Sequence, residues 1–83
     1  MVEMAIKLSP SFESASVAQL VNVASRYKSR VSLVADEKTA NAKSLMGIIS
    51  LEMQSGNTVK LVADGEDEQS VLPEIEHILS GKA

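Results

Sequence analysis

The chain contains no cysteine, which excludes disulfides, zinc thiolate sites and thiol catalysis and is typical of a cytoplasmic protein. Its only aromatic residues are Phe12 and Tyr27, so it has almost no platforms on which nucleic-acid bases could stack. A net charge of -3 also argues against nucleic acid as a partner. Because no long apolar run is present, the sequence predicts no membrane insertion. The N-terminal residues alternate in hydrophobicity and do not form a basic region followed by an apolar one, so no signal peptide is predicted.

Apolar residues make up 45% of the 83 residues, which predicts one small globular domain over residues 1–83. Alternating apolar residues predict strands, and apolar residues at helical spacing predict helices. The predicted strands are 2–8, 31–35, 38–42 and 58–63. The predicted helices run from 14 or 16 to 28, from just after Ser44 to about 52, and up to Gly81. This β-α-β-β-α-β-α order predicts a two-layer α+β sandwich, in which three helices cover one face of a four-stranded antiparallel sheet.

Pro73 conflicts with a last helix that begins at Asp67, because a proline inside a helix costs about 3 kcal/mol. We therefore expect this helix to begin late, near residues 70–72, or to kink at the proline.

Charged residues form two clusters, of which the acidic one is Asp64, Glu66, Asp67 and Glu68. The basic cluster is Arg26, Lys28 and Arg30, and it is expected to complement the C-terminus of the first helix. The simplest interpretation of both clusters is a solvated surface.

Residues 41–51, NAKSLMGIISL, form the most informative stretch. Ser44 precedes a short apolar segment, where its side-chain oxygen is suited to cap the first helical turn. A phosphate on Ser44 would add two negative charges beside the positive end of that helix. The segment contains more apolar residues than one face of a short helix holds, so some are expected to face water or a partner. Taken alone, the pattern also fits a plain N-cap beside five core residues.

This stretch resembles the region around the regulatory serine of HPr, the phosphocarrier protein of the bacterial sugar phosphotransferase system. Residues 21–27, 38–41 and 63–68 are similar to the corresponding segments of that family, so the likeness covers nearly the whole chain without insertions. The resemblance implies the same open-faced sandwich. It also implies that Leu45, Met46 and Ile49 form an exposed docking patch, with Ile48 and Leu51 facing the core.

The likeness fails in the loop before the first helix, where the family carries a phosphorylated histidine followed by an arginine and a proline. The aligned residues here are Glu13, Ala15 and Ser16, so phosphohistidine transfer through this site is excluded. Glu13 is interpreted as an acidic residue that favours the helix N-terminus, or as a permanent mimic of the phosphorylated histidine. The single histidine, His77, lies in the last helix and is interpreted as a solvated residue.

The resemblance therefore implies a regulatory or adaptor protein of the phosphoenolpyruvate-dependent phosphotransferase system, switched by phosphorylation of Ser44 and involved in catabolite repression. Its implied partners are HPr kinase/phosphorylase and catabolite control protein A, with enzyme I as a further candidate. We expect no catalytic residue, metal site or cofactor, and hence no enzyme. The alternative is an HPr-fold structural or binding domain with no phosphorylation and an unrelated partner. Phosphocarrier activity through another residue is a third interpretation, and the sequence supports it least.

Overall fold

The computed structural model describes residues 1–10, 14–51, 53 and 56–81. Within them the chain forms four strands and three helices in the predicted order. The strands are β1 (Val2–Lys7), β2 (Arg30–Ala35), β3 (Lys38–Asn41) and β4 (Thr58–Asp64). The helices are α1 (Ser14–Ala24), α2 (Leu45–Ser50) and α3 (Glu68–Ser80).

The strands form one antiparallel sheet in the order β1-β4-β2-β3. β2 and β3 are joined by a two-residue turn, since Ala35 pairs with Lys38. Asp36 supplies the positive φ of this turn, at 56°, where glycine is more usual. Aspartate tolerates this conformation better than most residues, which explains how the predicted hairpin forms without a glycine.

Alternate strand residues face the helices and form the core, as the sequence pattern predicted. Helix residues at a spacing of three and four close the other side of the core. The opposite face of the sheet carries exposed and half-buried residues, including Glu3 and Lys60, whose charged groups lie 3.7 Å apart. The largest fully buried apolar side chains of the core are Leu8, Leu20, Val31, Leu33, Ile48, Leu61, Val71, Ile75 and Leu79.

α1 ends at Ala24, four residues earlier than the sequence pattern predicted. The amides of Arg26 and Tyr27 bond to carbonyls only three residues back, at 3.0 and 3.2 Å, which tightens the chain out of the helix. The next two amides, of Lys28 and Ser29, bond to the Asp67 carboxylate and not to helical carbonyls. The residues of the basic cluster therefore follow α1 and do not lie in its last turn.

α3 begins at Glu68, so the expected late start near residues 70–72 is wrong. Pro73 lies inside the helix and is exposed. Its missing N–H leaves one carbonyl of the preceding turn, that of the exposed Gln69, without a helical partner. Val71, Ile75 and Leu79 are fully buried, and burying each contributes about 1.5–3 kcal/mol, which together exceeds the cost of one proline. Gly81 ends the helix with a φ of 74°, as predicted.

Candidate functional site

Ser44 caps α2 as the sequence predicted. Its backbone is extended, and its Oγ accepts a hydrogen bond from the amide of Gly47 at 3.2 Å. Its own amide donates to the carbonyl of Asn41 at 3.0 Å, and its carbonyl accepts from the amide of Ile48 at the same distance. Ser44 is partly exposed, and its hydroxyl holds the helix start.

Three apolar side chains of α2 point into solvent. Leu45 is 45% exposed, Met46 75% and Ile49 54%. Ile48 and Leu51, by contrast, are buried in the core, at 1% and 6%. The exposure of these five residues agrees with the division that the resemblance implied. We call the three exposed side chains the α2 patch.

Two contacts hold the segment that leads into α2. The Asn41 side-chain oxygen accepts a hydrogen bond from the amide of Lys43 at 2.8 Å, which forms a local turn. The Lys43 ammonium donates to the carbonyl of Tyr27 at 2.7 Å and so ties this segment to the turn after α1. Ser44 is thus held from its N-terminal side by the sheet and by the α1–β2 connection.

Asp67 is the residue whose role the sequence did not reveal. Its carboxylate accepts hydrogen bonds from the amides of Lys28, at 2.8 Å, and Ser29, at 2.9 Å, and from the Ser29 hydroxyl. The Ser29 hydroxyl and the two amides lower the pKa of Asp67 to about 2. This carboxylate joins α3 to the start of β2, so one member of the acidic cluster is a structural clamp and not a solvated charge. Nothing in a single sequence marks a contact across 38 residues.

The segment that aligns with the family's phosphorylated histidine is residues 11–13 and the start of α1. Glu13 lies outside the described residues. His77 is on α3 and is exposed, as predicted. Among the described residues, no group of three or more histidine or carboxylate side chains could hold a metal ion. No helix in the described part of the chain is both long enough and apolar enough to cross a membrane.

The match to a known family model assigns the chain to a protein family. Residues 3–80 match the family model described as the PTS HPr component phosphorylation site. The chain belongs to the HPr family. It is a divergent member, because its single histidine is His77 in α3 and the sequence before α1 contains none.

Similar HPr proteins come from several bacteria. The chain is 40% identical to the HPr-like protein Crh of Bacillus subtilis over 70 residues, which cover 84% of this chain and 82% of Crh. It is 38% identical to the phosphocarrier protein HPr of Treponema pallidum over 65 residues, covering 78% and 74% of the two chains. The structure of HPr-C-His from Thermoanaerobacter tengcongensis matches with a TM-score of 0.86 and 36% identity, over 95% of this chain and 91% of that one. The chain therefore has an HPr fold, and its relatives support a phosphocarrier-like regulatory protein with protein partners in the phosphotransferase system.

Proposed function

We propose that this HPr-family protein is a regulatory adaptor, switched by phosphorylation of Ser44, that docks to proteins through Leu45, Met46 and Ile49. The observation that carries the proposal is the position of Ser44, a partly exposed residue that caps α2 and directly precedes the α2 patch. The proposal assigns no catalytic residue and no cofactor, and it places the protein in the cytoplasm, where ATP is available to a serine kinase.

The Ser44 Oγ accepts the hydrogen bond of the Gly47 amide at 3.2 Å, and a methyl group at Gly47 would lie only 3.3 Å from that oxygen. In the proposed reaction the Ser44 oxygen attacks the γ-phosphorus of ATP and ADP leaves. The hydroxyl proton passes to a base of the kinase. HPr kinase/phosphorylase is the enzyme that the family likeness suggests.

The α2 patch is suited to protein contact because its three side chains are neighbours on the helix surface. Leu45 and Ile49 are four residues apart and Met46 and Ile49 are three apart, so they form one continuous apolar area. Its neighbours along the helix, Gly47 and Ser50, are small and do not cover it. An exposed apolar cluster of this kind is a common mark of a protein-binding surface.

Phosphorylation would change which partners this patch accepts. A phosphate brings nearly two negative charges to the edge of an apolar contact surface. A partner that offers only apolar groups would lose affinity, whereas one that offers arginines would gain charge-assisted hydrogen bonds. Catabolite control protein A is the proposed partner of the phosphorylated form, and enzyme I is a candidate for the unphosphorylated form.

The proposal is tested by intact-mass analysis after incubation with an HPr kinase/phosphorylase and ATP. We expect one added phosphate on the native chain and none on Ser44→Ala. Ser50→Ala is the matched control, since Ser50 lies on the same helix and its hydroxyl only donates to the Gly47 carbonyl, at 2.7 Å. This variant should be phosphorylated like the native chain.

A folded native chain that takes up no phosphate would contradict the switch. It would leave the alternative of an HPr-fold binding domain in which Ser44 is only a helix cap. Phosphate that persists in Ser44→Ala would place the modification elsewhere and would equally overturn the assignment.

A further inference from the structure

A second feature of the surface is a concentration of positive charge in a chain whose net charge is -3. Three strands meet at one end of the sheet, where β2 begins at Arg30 and where β3 and β4 end at Asn41 and Asp64. Lys28, in the turn after α1, and Lys43, just before α2, flank this end. These five residues line an open depression of about 540 Å³, which we call the basic depression.

We propose that the basic depression binds a small phosphate monoester, by its dianionic phosphate group. Three cationic side chains and one carboxylate line it, which leaves an excess of positive charge that a dianion would balance. Its volume of about 540 Å³ is large enough for a small molecule. The site does not depend on the proposed phosphorylation of Ser44.

The donors in the basic depression are suited to phosphate oxygens. Among the described residues, the Arg30 guanidinium has no hydrogen-bond or ion-pair partner, so its forked N–H groups are available for a bidentate contact. Asn41 uses its side-chain oxygen to accept from the Lys43 amide, which leaves its NH₂ group as a donor. The Lys28 ammonium lies 3.8 Å from the Glu66 carboxylate, and both groups are highly exposed, so this ion pair is weak and readily exchanged.

Two features limit the strength of binding. The Lys43 ammonium is already engaged by the Tyr27 carbonyl, at 2.7 Å, and contributes mainly through its charge. Asp64 is the partner of Arg30 in the β2–β4 pairing and also lines the depression, where its negative charge repels an anion. The N-terminal ammonium lies 3.8 Å from Asp64 and offsets part of that repulsion. We therefore expect weak binding that falls as salt is added.

The experiment is an NMR titration of the ¹⁵N-labelled, unphosphorylated protein with glycerol 3-phosphate at constant ionic strength. Glycerol and succinate serve as the probes without a phosphate group. We expect saturable shifts of the amides of Lys28, Arg30, Asn41 and Lys43 with glycerol 3-phosphate alone. Shifts that do not saturate, that spread evenly over the surface, or that succinate reproduces would overturn the proposal.

Paired variants separate the site from a general charge effect. Arg30→Gln should weaken binding about fivefold, as expected for the loss of one charge-assisted contact at an exposed site. Arg26→Gln removes an exposed cation from the same connection outside the depression and should leave the affinity unchanged. Asp64→Asn should strengthen binding about two- to fivefold because it removes the repelling carboxylate. Glu37→Gln, at the opposite end of β2, should have no effect. Equal effects within either pair would contradict a specific site.

Discussion

Ile48 and Ile49 are neighbours in α2, and an alanine substitution at each in turn separates the effect on folding from the effect on docking. Ile48 is 1% exposed and Ile49 is 54% exposed, although they are adjacent in the sequence. Ile48→Ala removes a fully buried side chain and should cost about 2–5 kcal/mol of unfolding free energy. For a domain of this size that corresponds to a Tm lower by about 10 °C or more.

Ile49→Ala should have a much smaller effect on folding. Full burial of an isoleucine contributes about 1.5–3 kcal/mol, and Ile49 keeps less than half of its surface in contact, so the loss should not exceed about 1.5 kcal/mol. The better helix propensity of alanine offsets a few tenths of a kcal/mol of this loss. The effect of Ile49→Ala on docking should be larger, at about 1–2 kcal/mol. This corresponds to a roughly tenfold lower kcat/KM for the kinase acting on Ser44.

The loss of stability is measured by urea unfolding followed by far-UV circular dichroism. The loss of docking is measured by the initial rate of Ser44 phosphorylation. Under conditions in which both variants are folded, Ile48→Ala should be phosphorylated at nearly the native rate. Equal losses of stability in the two variants would refute the division of α2 into a core side and a solvent side. A native kinase rate for Ile49→Ala would refute the role of the α2 patch in docking to this enzyme.

Three further predictions concern the framework of the site. The pKa of Asp67 is lowered to about 2 from an unfolded value near 3.8, so its stabilising effect is present above pH 3.8 and is lost as the pH falls toward 2. Urea midpoints measured between pH 2 and 6 should fall in this window for the native chain and fall less for Asp67→Asn. Gly65→Ala should lower stability by about 1–3 kcal/mol, since a Cβ there would lie 2.7 Å from the Ser29 Cα; an unchanged urea midpoint would contradict this contact. Ser44→Ala should cost about 0.5–2 kcal/mol through loss of the helix cap, and a native Tm would show that the Gly47 amide needs no such partner.

Local patterns were sufficient to predict the order of the elements. In β4, Val59, Leu61 and Ala63 alternate with more exposed residues, and this period identifies both a strand and its buried face. Ser44 was recognised as a cap because a hydroxyl before an apolar helical segment satisfies an amide only a few residues away. Such interactions lie within one turn of the chain, so a sequence contains them directly. The choice of Leu45, Met46 and Ile49 as the exposed residues, by contrast, came from the family likeness.

Contacts between distant segments determined what the sequence did not show. The end of α1 depends on the Asp67 carboxylate, which bonds to the amides of Lys28 and Ser29 and competes with continuation of the helix. The start of α3 depends on the burial of its apolar face, which outweighs the local cost of Pro73.

The basic depression exists only because the sheet order brings residues from three strands and two connections to one end of the sheet. The sequence by itself therefore determined the elements, the cap and the family, because these depend on neighbours along the chain. The tertiary structure alone decided where α1 ends, where α3 begins and which charges meet, because hydrogen bonds and packing across the fold can exceed local preferences of a few kcal/mol.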